Sequence, residues 1–328
     1  MERKNQNIQW MAAAVGLLVL IFDSERALEG ARSGVDLCIR TVIPSLFPFF
    51  VLSLILTDSI PVSTAASVRK FCEGTGLPAA VASLLVPSFL GGYPVGAKCI
   101  GDLYRKQQIS KPAAQQLLTF CSNAGPSFLF GMVSGFFPEQ KMVWELWLIH
   151  ILSALLTGLS FPGQKEEQLF CTAEKQSSQN AAVFSAAKAM ALVCCWVILF
   201  RTMIAFLKAW FLWLLPEWAQ VFLTGILELT NGCCELLLIE DLKLRFVLCS
   251  CMLAFGGICV VFQTASVING LSLVCYLKGK FLQTVYSFLL SCTLILEHRL
   301  FPGAMIPVFV MILRKTQNRY GNPGAFPV

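Results

Sequence analysis

The polar residues with the most chemical meaning in this chain sit where apolar neighbours make them costly. Glu228, followed by Leu229, Thr230, Asn231 and Gly232, is a carboxylate inside an apolar stretch. Such a group in lipid marks a pathway or a paired site. It could accept from a solute hydroxyl or take a proton; a glutamate reaching headgroup water is the plain structural alternative. Ser122-Asn123-Ala124-Gly125-Pro126 interrupts another apolar run. Its asparagine must find hydrogen-bond partners, and a broken helix leaves carbonyls unpaired. Solute or ion coordination and a polar clamp between helices are the two readings. Gly91-Gly92-Tyr93-Pro94 forms a second break. Its glycines let backbone groups approach a ligand, and a helix starting after Pro94 would aim its positive end at a polar or anionic group. A tight packing corner is the alternative. Gly256-Gly257, with Gln263 beyond it, makes a third.

Two charged groups are weighed with these. Arg201 stands in a strongly apolar span. Pairing with Glu228, lining a cavity and snorkelling to an interface are its three possible roles. Lys98, Asp102 and Lys106 share one helix face at i, i+4, i+8, and a solvated, salt-bridged face is the favoured reading.

Catalytic constellations are missing. His150 and His298 have no metal-ligand or Ser/His/Asp spacing around them, and no GxxxxGK[ST] phosphate loop occurs. Most of the 14 cysteines, Cys194, Cys195, Cys249, Cys251, Cys259, Cys275 and Cys292 among them, lie in apolar runs and read as small hydrophobes. The expectation is a non-enzymatic protein without metal or cofactor.

The elements that must carry these residues are membrane helices. The chain is 56% hydrophobic and only 13% charged; a soluble domain carries about 25%. Its net charge of +6 comes from short basic clusters between apolar runs, a positive-inside pattern rather than a nucleic-acid surface. Residues 8–22 form a first apolar run, preferred as an uncleaved helix over a signal peptide because no small-x-small cleavage site follows closely. Residues 23–40 read as an amphipathic helix on the membrane surface, with Ala27, Ala31 and Val35 on its apolar face. A span over 41–60 contains Pro44 and Pro48. Residues 113–137, broken at Ser122–Pro126, and 143–161 follow. Residues 163–180 are a polar linker, 181–216 are apolar around Arg201, and 281–296 and 300–313 are final spans before a basic tail (314–328).

The two halves share a layout. Residues 41–162 and 181–313 each carry a short apolar run, a Gly-Gly break, another short run and a long helix. These breaks predict re-entrant hairpins near 77–106 and 246–276, a pattern that in transporters points to a solute site. An inverted repeat is preferred over a parallel one, though Lys243, Arg245, Lys278 and Lys280, taken as loop charges, weigh against it.

Pro87-Ser88-Phe89-Leu90-Gly91-Gly92-Tyr93-Pro94-Val95-Gly96-Ala97-Lys98, together with Phe120-Cys121-Ser122-Asn123-Ala124-Gly125-Pro126, resembles the sporulation integral membrane proteins of endospore-forming bacteria. Glu228 to Gly232 and Phe255-Gly256-Gly257 through Gln263 fit the same pattern. That group carries the nucleoside-recognition "gate" domain and is similar to concentrative nucleoside transporters, in which two re-entrant hairpins enclose the substrate. The resemblance implies an all-α polytopic protein of the cell membrane that recognises or moves a small polar solute, nucleoside-like among the candidates, with a coupling ion left open. A structural membrane component of a sporulation complex that moves nothing is the alternative. The partners expected are the bilayer, the solute and no nucleic acid; a homo-oligomer is allowed. The expected solute residues are Gly91, Gly92, Tyr93, Pro94, Ser122, Asn123, Gly125, Glu228, Thr230, Asn231, Gly256, Gly257 and Gln263.

Overall fold

The computed structural model describes residues 2–59, 66–77, 81, 85, 88–161, 179–268, 270–295 and 310. Among them every regular element is helical and no strand occurs. The polar linker, His298, the span expected over 300–313 (Val310 apart) and the basic tail lie outside the described residues, as does most of the first limb of the 77–106 segment. Among the described residues, four segments are long and apolar enough to cross a membrane: Ser24–Leu52, Gln140–Ser160, Asn180–Trp210 and Leu242–Ala265. The chain is a membrane protein.

Helix α1 (Glu2–Phe22) leads into α2 (Ser24–Leu37), which Asp23 caps by accepting from the Arg26 N–H. A π-helical turn, Cys38–Val42, passes the chain without a break into α3 (Ile43–Ser59). Residues 23–40 therefore do not form a separate surface helix. They pack along α9 (Gln179–Trp210) through Gly30, Gly34 and Cys38, while Val35 is exposed. The cause is a small-x-x-x-small stripe that lets two backbones touch. A Cβ on Gly30 would stand 2.9 Å from Thr202 Cα, and one on Gly34 2.9 Å from Ile198 Cα.

The remaining elements are α4 (Ala66–Thr75), α5 (Val95–Arg105), α6 (Lys111–Phe120), α7 (Pro126–Gly131), α8 (Gln140–Ser160), α10 (Glu217–Leu227), α11 (Leu229–Glu235), α12 (Leu242–Phe255), α13 (Ile258–Ala265) and α14 (Leu273–Ile295). The chain interrupts between α6 and α7, between α10 and α11, and between α12 and α13. The first and the last are breaks read from the sequence; the one at Glu228 falls where the sequence shows only a carboxylate among apolar neighbours. Gly256 and Gly257 both adopt positive φ, +84° and +89°, which ends α12 and redirects the chain into α13.

Helix α14 begins eight residues earlier than the span expected over 281–296, so it takes Lys278 and Lys280 into the helix. It forms the central post of the described helices. Gly279 lies against α6, where a Cβ would meet Thr119 O at 2.0 Å. Tyr286 Oη bonds Ser160 Oγ of α8 at 2.6 Å, and Ser287 Oγ bonds Ser250 Oγ of α12 at 2.7 Å. In a medium without water these hydroxyl pairs satisfy one another, which fixes the register between neighbouring helices.

Candidate functional site

The four breaks meet at the centre of the molecule. Gly92 (φ +74°) packs on Gly125, with a Cβ on Gly92 placed 3.2 Å from Gly125 N. A Cβ on Gly96 would fall 1.9 Å from Cys121 O, so α5 also presses against the α6–α7 break. A Cβ on Gly257 would come 3.1 Å from Leu229 N, against the α10–α11 break. The 88–95 and 255–258 turns touch each other directly through Tyr93 and Gly256. Gly91 and Pro94 are buried in the same turn, with Pro94 as the N-cap of α5.

Between these breaks lies a cavity of about 40 Å³, lined by Tyr93, Gly125, Glu228, Thr230 and Gln263 among apolar neighbours from α3, α9 and α13. Its polar wall is built locally. Glu228 ends α10 in an extended conformation and turns its carboxylate back over the start of α11. There Oε1 accepts from Thr230 N at 3.1 Å and Oε2 from Asn231 N at 2.7 Å. An acceptor at this position satisfies N–H groups that the first helical turn leaves orphaned. Gln263 is buried one turn into α13 and donates to Cys259 Sγ at 3.2 Å.

Two predicted residues stand behind the cavity rather than on it. Asn231 Oδ1 accepts from the Arg201 guanidinium, whose Nε donates to Ser33 Oγ of α2 at 3.1 Å. Arg201 thus meets protein polar groups, as the cost of hydrocarbon exposure requires, and its partner is Asn231 rather than Glu228. Asn123 lies on the other side of Tyr93. Its Nδ2 donates to Phe120 O at 2.6 Å, and its Oδ1 accepts from Gln283 Nε2 at 2.9 Å and Lys280 Nζ at 3.3 Å. Its neighbour Ser122 is fully buried, with its hydroxyl beside that of Tyr276.

Lys280 is the residue the sequence did not single out. Taken there as a loop charge, it is completely buried. Its ammonium donates to Tyr93 Oη at 3.0 Å, Gln283 Oε1 at 2.7 Å and Asn123 Oδ1, and it lies 4.9 Å from the Tyr93 ring centroid. Tyr93 Oη in turn donates to Leu253 O at 3.2 Å. One lysine therefore ties α14 to the Gly91–Pro94 break, the α6–α7 break and, through Tyr93, to α12. The spacing of Tyr276, Lys280 and Gln283 along one helix face was the available signal.

His150, also fully buried, accepts from the Ala124 N–H through Nε2 at 3.1 Å and so satisfies part of the α6–α7 break. Lys98 and Asp102, both half-buried, pair at 3.0 Å at the edge of α5, and Arg105 rather than Lys106 shares the carboxylate. No group of His, Cys, Asp and Glu residues able to hold a metal occurs among the described residues.

The chain is 31% identical over 154 residues to the sporulation integral membrane protein YlbJ of Bacillus subtilis (strain 168), a match covering 45% of this chain and 38% of that protein. The match therefore spans well under half the length of its curated relative. No family model and no solved structure matches the chain.

Proposed function

We propose that this chain is a multi-pass, transporter-like protein of the cell membrane that recognises or moves a small polar solute and serves a sporulating cell. In this reading the two halves are repeats, inverted in orientation. The turns at Gly91-Gly92 and Gly256-Gly257 are the tips of re-entrant hairpins, and the chain catalyses no reaction. The observation that carries it is the convergence of four chain breaks on one cavity that holds Glu228, Thr230, Gln263, Tyr93 and Gly125. Irregular backbone at membrane depth is tolerated where protein or a water-filled cavity surrounds it, and transporters use such breaks to bind solutes. The sporulation link rests on the name of the Bacillus relative, and the nucleoside-like solute on the GGYPVGAK and SNAGP resemblance.

The second reading is a membrane component that keeps this architecture and moves nothing. Two observations favour it. The cavity, at about 40 Å³, is far below the ~300–1,000 Å³ of ordinary ligand pockets. Asn123 and Asn231 are spent on direct pairs with protein groups. A transporter in an occluded state satisfies the same two observations. Uptake assays on proteoliposomes carrying the purified chain decide between the readings. Radiolabelled nucleosides and small acids serve as probes, with and without a proton or sodium gradient. Saturable uptake supports the first reading, and its absence across the panel supports the second.

A further inference from the structure

We infer that the solute carries an anionic group, a carboxylate or phosphate oxyanion, and that Lys280 with the hydroxyls of Ser122, Thr264 and Tyr276 receives it. The inference rests on the central cavity being a solute site and names the solute's class.

Lys280 is wholly buried, and its three ammonium contacts are to neutral oxygens of Tyr93, Asn123 and Gln283. Among the described residues, no carboxylate oxygen pairs with it within 4.0 Å. A buried lysine without a counter-charge is expensive to keep protonated, because neutral dipoles replace only part of its lost hydration, and an anion bound beside it would offset that cost. The surroundings add surplus hydrogen-bonding capacity rather than negative charge. Tyr276, whose ring centroid lies 5.8 Å from Lys280 Nζ, faces the hydroxyls of Thr264 and Ser122. All three hydroxyls are buried and find partners only in one another. Hydroxyls satisfied only among themselves keep spare hydrogen-bonding capacity, and such a cluster beside a buried lysine calls for a reason. A lysine with these hydroxyls on its Tyr276 side complements an oxyanion, which brings both the missing charge and the lone pairs.

The route to this site runs through Tyr93. Its side chain lines the cavity and its hydroxyl touches Lys280. A rotation of that one side chain would bring the ammonium into contact with a solute occupying the cavity. Glu228 stands on the other wall of the cavity with both carboxylate oxygens turned to the Thr230 and Asn231 N–H groups, so the anionic group is assigned to the Tyr93 side. The wall holding Glu228 and Gln263 is left to the solute's neutral polar groups.

The experiment is thermal unfolding of the purified full chain in detergent at constant ionic strength. The probes are succinate and uridine monophosphate, each set against its neutral counterpart, succinamide or uridine, with inorganic phosphate as the bare oxyanion. The expected result is a saturable rise in Tm with at least one anion and none with its neutral counterpart. Lys280→Met should abolish that rise, and Lys280→Arg should keep part of it. If Lys280→Met does not fold, Ser122→Ala combined with Thr264→Val leaves the charge in place. It should weaken anion binding roughly tenfold or more, as loss of hydrogen bonds to a charged group does. Saturable stabilisation by uridine that Lys280→Met retains would overturn the anion assignment and leave the solute site standing. Anion binding unchanged in both the Lys280 and the hydroxyl variants would overturn the assignment too. No stabilisation by any probe would overturn this inference and the solute reading together.

Discussion

Tyr93 rests directly on Gly256: a Cβ at position 256 would stand 2.8 Å from Tyr93 Cζ and 2.9 Å from its hydroxyl oxygen. The contact joins the breaks of the two halves, and neither can shift while the ring keeps its place. The same ring is one wall of the cavity and the same hydroxyl accepts from Lys280. The meeting of the two turns is therefore coupled through one side chain to the buried charge and to the space where a solute would lie.

Gly256→Ala tests this coupling. The residue must keep φ near +84°, and the added methyl must displace the Tyr93 ring. Strain of this kind costs about 1–3 kcal/mol. Tyr93→Ala in the same background should remove the clash but not the backbone strain. A double-mutant cycle on Tm should thus return a coupling of about 0.5–3 kcal/mol; strictly additive effects would show that the two turns do not bear on each other.

The α2–α9 contact makes a second prediction. Gly34→Leu drives a branched side chain into the Ile198 backbone and should destabilise the protein by about 1–3 kcal/mol. Val35→Leu, one residue on and exposed, should change Tm by an amount equivalent to at most ~0.5 kcal/mol. Equal effects of the two substitutions would contradict the packing of this helix against α9.

Arg201 supplies a third. Its guanidinium spans Ser33 of α2 and Asn231 of α11, and Asn231 Nδ2 already lacks a partner. Arg201→Met strips the buried Asn231 side chain of its remaining hydrogen bond, at a cost of about 1–3 kcal/mol. Arg201→Lys should recover only part of that, because a single ammonium cannot reproduce the planar fork that reaches both sites. Full recovery by lysine, read by thermal unfolding, would mean that charge alone matters there.

The breaks were legible in the sequence because lipid enforces them. Glycine pairs and an Asn-Ala-Gly-Pro run inside apolar stretches have few other meanings, and Gly256-Gly257 and Ser122–Pro126 are indeed where helices end. Partners across the breaks were not legible, since Arg201–Asn231 and Asn123–Lys280 join residues 30 and 157 positions apart. Lys280 was misread for a physical reason. Counted as a charge before an apolar run, it suits a loop. Only a helix starting at Leu273 turns it, with Tyr276 and Gln283, onto one inward face. The 23–40 segment was misread similarly: its charges suggested a surface helix, while Gly30 and Gly34 already spelled a close helix contact.

Glu228 carries the last prediction, because capping and solute recognition make different demands on it. As a cap it needs only acceptor oxygens over Thr230 N and Asn231 N. Glu228→Gln keeps the volume and one such oxygen, and should cost about 1 kcal/mol of stability, in the range of an ordinary capping loss. Insertion into the membrane should be unaffected, since removing a charge from an apolar stretch makes insertion easier. If the carboxylate also receives a solute hydroxyl or a proton from the cavity, the same substitution should abolish uptake in proteoliposomes or ligand-induced stabilisation, far beyond what the small stability loss explains. Asn123→Ala should weaken binding as well, by removing one of the acceptors of Lys280 on the far side of Tyr93. Glu228→Gln that loses the capping energy and nothing else, in a preparation where the parent binds a solute, would leave Glu228 as the cap of α11 and move recognition to the other wall of the cavity.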